Sequence, residues 1–139
     1  MKMKIKLGSN QPKPKYQTEG AAAFDLVATR SVFLSQRTEM MDLEIALEIP
    51  SGYYGKLVPR SSMGKRGIAL SNTLGVIDSD YRGNIHAPLY CRFKEGTHVK
   101  KGERIIQLLI CKVEQFELDV VDYLTETNRG TGGFGSTGA

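Results

Sequence analysis

Between Met41 and Ile49 every odd position is apolar (Met41, Leu43, Ile45, Leu47, Ile49), while Asp42, Glu44 and Glu48 stand between them. A period of two sends alternate side chains to opposite faces of an extended chain, so this segment reads as a half-buried strand. One such strand cannot cover its own apolar face, and the chain must supply others. Shorter stretches of the same character run over Lys2–Leu7, Val32–Leu34, Tyr53–Val58 and Asn84–Phe93, divided by turn residues at Pro50 to Gly52, Asp80 to Gly83 and Lys94 to Gly96. Nothing has the spacing of a long amphipathic helix, and one helical turn near Ser62–Lys65 is all that the pattern supports. The expected fold class is all-β, a sandwich or barrel of short strands.

Glu103–Val113 departs from alternation, because Ile105, Ile106, Leu108, Leu109 and Ile110 form a nearly unbroken apolar run, as in a strand covered on both faces. Gln107 interrupts it. A polar side chain at such a place must find partners, so it either ties down neighbouring backbone or lines a buried site. The 139 residues, 40% of them hydrophobic, suit one domain with one core.

Several function classes drop out on composition. The two cysteines, Cys91 and Cys111, form no CxxC pair, and the two histidines, His86 and His98, lack metal-ligand spacing, which argues against a disulfide scaffold or a zinc site. A net charge of +4 suits an anionic partner, but the clearest basic cluster is only Lys65-Arg66, so a small phosphorylated ligand fits better than nucleic acid. No run approaches the roughly 18 apolar residues of a membrane span, and Met1–Leu7 alternates lysine with apolar residues instead of forming a signal-peptide core. The expectation is an intracellular, cytoplasmic protein.

Four segments bring chemically capable groups close together. Gly20–Ala28 holds Asp25 between Phe24 and Leu26, where an acid in a turn before a strand is one adequate explanation. Pro59–Ile68 presents Arg60, Ser61 and Ser62 beside flexible glycines, groups that bind phosphate oxygens, although a polar surface turn would look the same. Its order of glycine and lysine is not that of a Walker loop. Asn72–Ile85 carries Asn72, Gly75, Asp78, Tyr81 and Gly83; a hairpin tip accounts for Asp80 and Gly83, but Asp78 directly follows Val76-Ile77, where a charge needs a reason. The fourth is Lys101–Ile110, with Gln107.

The last stretch, Arg129–Ala139, reads RGTGGFGSTGA and cannot form a core. It is either a disordered tail or a flap whose glycine amides, Arg129 and Ser136 meet phosphate oxygens. Ordering such a tail costs on the order of 10 kcal/mol. Charge-assisted hydrogen bonds return roughly 1.5–3 kcal/mol each and a base stacked on Phe134 roughly 1–3, so several contacts must form together. A triphosphate can supply them.

Taken in order, these five segments resemble the five motifs of the trimeric dUTPase family, and the resemblance runs from Gly20 to Gly138. It implies a distorted jelly-roll-like β-barrel over residues 1–128, a flexible tail over 129–139, and a homotrimer with three active sites shared between subunits. The implied reaction is hydrolysis of dUTP to dUMP and pyrophosphate with Mg²⁺ held by the phosphates, which limits uracil in DNA and supplies dUMP for dTMP synthesis. By resemblance, Asp78 activates the water that attacks the α-phosphorus, Tyr81 packs on deoxyribose, and Asn72 with Gly75 of the same hairpin reads uracil. Arg60, Ser61, Ser62 and Gln107 hold phosphates, and Asp25 acts indirectly. Arg129, Phe134, Gly135 and Ser136 belong to the closing tail. One departure stands out: the family's first motif has glycine two residues before its aspartate, where this chain has Ala23, so a positive φ there would be strained. Two other readings stay open, a dCTP deaminase-like enzyme, for which the hairpin lacks a glutamate, and a protein-binding regulatory role alongside catalysis.

Overall fold

The computed structural model describes residues 1–138, so that Ala139, the end of the expected tail, lies outside the described residues. Among the described residues, eleven strands and one 3₁₀ turn make up the regular structure, and every strand pairing is antiparallel. The strands are β1 (Lys4–Leu7), β2 (Phe24–Val27), β3 (Val32–Leu34), β4 (Glu39–Asp42), β5 (Ile45–Glu48), β6 (Tyr53–Pro59), β7 (Ile68–Leu70), β8 (Gly75–Ile77), β9 (His86–Cys91), β10 (Thr97–Val99) and β11 (Arg104–Lys112). They form four small sheets ordered β2-β11-β6-β8, β4-β9-β7, β1-β5 and β10-β3. The expected all-β, jelly-roll-like class holds, with the strands distributed over these sheets instead of one closed barrel. Among the described residues, no helix is long and apolar enough to cross a membrane.

The alternating segment Met41–Ile49 is two strands, not one. It breaks at Leu43-Glu44, where Glu44 takes φ +53°, and the cause is local hydrogen bonding. The Asp42 carboxylate accepts the Glu44 N–H at 2.8 Å, and the Glu44 carboxylate accepts both the backbone N–H of Asn10 (3.2 Å) and its side-chain amide (3.0 Å). All five odd-numbered apolar residues are nonetheless buried, so the periodicity located the buried face and missed the turn.

The apolar run in β11 is explained by its register with β2. A register shift between Arg104 and Ile106 inserts an extra residue, and a bulge lets consecutive side chains face the same way. Ile105 and Ile106 are both fully buried as a result, each contributing roughly 1.5–3 kcal/mol of apolar burial. Gln11, not singled out by periodicity, is buried at 3% exposure. Its amide donates to the Val27 (3.1 Å) and Leu43 (2.8 Å) carbonyls and accepts the Val27 N–H (3.0 Å), stitching the N-terminal loop to β2 and to the turn after β4.

The short 3₁₀ turn Ser61–Arg66 falls where one helical turn was expected and is closed by Gly67 at φ +73°. It is tied to the turn before β11 through Arg66, which contacts the Glu103 carboxylate at 2.7 Å and the His98 carbonyl. Glu103 also accepts the Lys100 N–H at 2.8 Å. That backbone bond, and then Arg66, hold the Glu103 carboxyl below its ordinary 4.5 against the upward push of burial.

A carboxyl lowered in the folded state contributes stability above its ordinary pKa and loses it as pH falls through the lower folded value. Glu103→Gln should therefore melt at a lower temperature than the parent at pH 7, with the gap closing in acid below about pH 4. Thermal melts of both proteins between pH 3 and 8 check this, and a gap that widened in acid would contradict it.

Candidate active site

One end of the β2-β11-β6-β8 sheet gathers the first set of candidate residues. Gln107 pairs in register with Asp25 on β2 and Val58 on β6, and the 3₁₀ turn starts just beyond β6 at Arg60. A cleft there is lined by Gln17, Ala23, Asp25, Arg60, Ser61 and Gln107. The Asp25 side chain is only 8% exposed and lies between two guanidinium groups, Arg60 Nε and Arg104 Nη1, both 3.3 Å from its Oδ2. Arg60 Nη1 also donates to the Arg104 carbonyl at 3.2 Å. With Nε and Nη1 both engaged, the Arg60 plane is fixed and Nη2 is left to meet an anion. Gln107 Nε2 donates to the Pro59 carbonyl at 3.3 Å, so Gln107 both anchors backbone and lines the cleft. Ser61 and Ser62 are exposed on the turn. Ala23 does not have a positive φ, and the expected strain is absent. Arg104 escaped the sequence reading, where its only signal was a basic residue opening an apolar strand.

The second set sits on the segment from β7 to β9. Asn72 is exposed in the turn between β7 and β8, where Thr73 takes φ +69°. Gly75 is buried, and a Cβ there would stand 3.1 Å from the Leu57 Cβ. Asp78 is exposed just beyond β8; its backbone carbonyl accepts the Tyr81 N–H at 3.2 Å, while its carboxylate joins none of the ion pairs of the described residues. Asp78 lines a cleft together with Tyr53, Tyr54, Val76, Ser79, Asp80 and Val113. The Tyr81 hydroxyl donates to the Asn84 carbonyl at 2.9 Å. Its ring lies so close to Gly83 that a Cβ would fall 2.5 Å from the hydroxyl, which explains the glycine.

Within one chain Asp78 and Arg60 do not meet. Ile77 pairs with Gly55, so Asp78 is level with Tyr54, six residues before Arg60 along β6. At about 3.3 Å per residue, about 20 Å of strand separates them. Beyond Val113, whose N–H reaches the Gly52 carbonyl at 3.0 Å, the recorded backbone bonds do not return the chain to the β body. Arg129 bonds within the tail, to the Gly132 carbonyl at 2.8 Å. Phe134 is fully exposed with φ +51°, followed by Gly135 at φ +86° and an exposed Ser136.

An antiparallel β scaffold, an arginine-rimmed cleft at one end of a strand and an unpaired carboxylate at the other define a small all-β protein built to receive an anionic ligand. The family model described as dUTPase matches residues 9–138; the chain belongs to the dUTPase family. It is 44% identical to the deoxyuridine 5'-triphosphate nucleotidohydrolase of Nautilia profundicola, covering 99% of each chain. It is 41% identical to that of Escherichia phage T5, again over 99% of both. A variant of the Staphylococcus bacteriophage 80alpha dUTPase solved with dUpNHpp superimposes with a TM-score of 0.90 at 25% identity, covering 99% of each chain.

Removing Asp25 would leave two guanidinium groups facing one another without their shared counter-charge. Because both arginines are partly exposed, solvent screens part of the loss, and Asp25→Ala should cost about 1–2 kcal/mol. Urea unfolding checks this, and an unchanged midpoint would show that the triad contributes nothing.

Proposed function

We propose that this chain is a dUTP diphosphatase, hydrolysing dUTP to dUMP and pyrophosphate in sites shared between the subunits of a homotrimer. The observation that carries the shared site is the separation of Asp78 from the Arg60–Gln107 cleft along β6, together with membership of the family. A second copy that brings its Asp78 hairpin to the first copy's arginine cleft would complete a site that neither chain holds alone.

The segment after β11 supports assembly. Phe116, Leu118 and Val120 alternate with Glu117 and Asp119, and they, with Tyr123 and Leu124, are all more than three-quarters exposed. That is the pattern of a strand awaiting a sheet edge, and such an apolar surface is costly to leave in water. On this reading the arm leaves the β body near Val113 and carries the tail to another subunit, where Phe134 covers uracil and Arg129, Gly135 and Ser136 reach the terminal phosphates.

Each remaining role follows from its surroundings. Asp78, exposed and unpaired, can accept a hydrogen bond from the attacking water and take its proton. Tyr81 presents its ring to deoxyribose, and Asn72 with the backbone near Gly75 reads the uracil edge. Arg60, Ser61, Ser62 and Gln107 hold phosphate oxygens, and positioning of this kind supplies most of the catalysis in phosphoryl chemistry. Mg²⁺, when bound, would neutralise phosphate charge. Both guanidinium contacts to Asp25 converge on Oδ2, so Oδ1 would be the oxygen able to accept a hydrogen bond from water around such an ion.

Asp78→Asn keeps the shape and removes the base. Turnover of dUTP should fall by roughly 10²–10⁴-fold, while binding of dUpNHpp stays within a few-fold of the parent. Pyrophosphate release measured beside analogue binding checks the pair, and normal turnover would take Asp78 out of the mechanism.

A further inference from the structure

The loop that carries Tyr81 has little backbone support. Residues Asp78 to Asn84 lie outside any strand, and the one bond recorded between their own backbone groups is Tyr81 N–H to the Asp78 carbonyl. Side chains fasten it instead. The Asn84 carbonyl accepts the Tyr81 hydroxyl at 2.9 Å and, with the histidine proton on Nδ1, His86 at 3.0 Å. The Asn84 side-chain amide donates to Asp42 Oδ2 at 3.2 Å, and Asp42 is itself fixed through Oδ1 by the Glu44 N–H at 2.8 Å. His86 Nε2 faces the same Asp42 oxygen at 3.8 Å. A further tie, Arg82 Nε to Glu48 at 3.9 Å, is longer and exposed.

We propose that Asp42 and Asn84 are positioning residues that set sugar specificity, by clamping the carbonyl on which the Tyr81 hydroxyl rests. The inference rests on the reading that Tyr81 packs against deoxyribose. Excluding a 2′-hydroxyl by shape requires the ring to stay within about 0.5 Å of its place. The Asp42–Asn84 bond connects that ring to the rigid β4–β5 turn, which Gln11 and Glu44 hold to the core side of the molecule. Without the clamp the loop relaxes, the ring retreats, and a ribonucleotide gains room. Phosphate-binding groups are untouched, so the loss falls on discrimination more than on dUTP turnover.

The test compares kcat/KM for dUTP and UTP in the assembled full-length enzyme. Asn84→Ala should raise relative use of UTP by about tenfold, a fraction of the roughly hundredfold that a shape-based pocket can provide, with dUTP turnover reduced only two- to threefold. Asp42→Ala, which also removes the acceptor of the Glu44 N–H, should lose at least as much selectivity, and the double variant should lose no more than Asp42→Ala alone, because the Asp42–Asn84 bond cannot be removed twice. Asn84→Asp alone, which sets two carboxylates together, should also lose selectivity. Combining it with Asp42→Asn exchanges donor and acceptor and should restore the ratio to within about twofold. Amide hydrogen exchange over residues 78–85 should quicken in Asn84→Ala and return to the parental rate in the exchanged pair. Parental dUTP turnover with an unchanged dUTP-to-UTP ratio in a folded Asn84→Ala enzyme would overturn the inference alone. Absence of dUTP hydrolysis in the parent would overturn it together with the reading beneath it.

Discussion

Strand β6 is hydrogen-bonded on both edges, to β11 on one side and to β8 on the other. Its register fixes where everything else can be. Through β11 it places Gln107, and Asp25 beyond it, beside Arg60 at one end. Through β8 it places Asp78 at the other. A slip of one residue would turn the buried Leu57 to the opposite face and expose its apolar side chain, so the separation is specified as firmly as the core itself. On the proposed reading, the phosphate-binding and water-activating groups are thereby kept apart in each chain, and catalysis is a property of the assembly.

The two ends are built differently. The arginine end is stiff: Asp25 neutralises and orients two guanidinium groups, Arg66 and Glu103 brace the 3₁₀ turn, and Gln107 is tied to the Pro59 carbonyl. Oriented donors of this kind need little reorganisation when a polyanion arrives. The Asp78 end is an exposed loop fastened by side chains, and the described tail residues bond only to one another and to Thr127 just before them. Segments with few buried contacts open and close at small free-energy cost, which suits groups that must meet substrate and then release product.

Periodicity in the sequence located the buried faces because burial is decided residue by residue: Met41 to Ile49 alternate as a covered strand should, and Ile105 to Leu108 mark a strand that enters the core, although a bulge, not cover on both faces, buries Ile105 beside Ile106. It did not reveal the turn at Leu43-Glu44 or the bulge near Arg104, since both depend on contacts with residues far away in the chain, Asn10 in the first case and the register with β2 in the second. Gln107 was legible as a polar residue out of place, though which of its two roles it played required coordinates, and it plays both. Gln11 and the Asp42–Asn84 clamp left no local signal, and Arg104 none beyond a basic residue opening an apolar strand, because each acts through partners at least sixteen positions distant. The roles of Asp78, Tyr81 and the tail came from the order of motifs, a form of information that spacing within any one segment does not contain.

On the proposed reading Asp78 of one chain serves the arginine cleft of another, and mixed assemblies test that directly. Chains carrying Asp78→Asn and chains carrying Arg60→Ala, each inactive alone, are unfolded together in equal amounts, refolded and assayed for pyrophosphate release from dUTP. If the site is shared, about one site in four joins an intact Arg60 to an intact Asp78, the product of two even chances, and roughly a quarter of parental activity returns. If each chain carried its own complete site, the mixture would stay as inactive as its components.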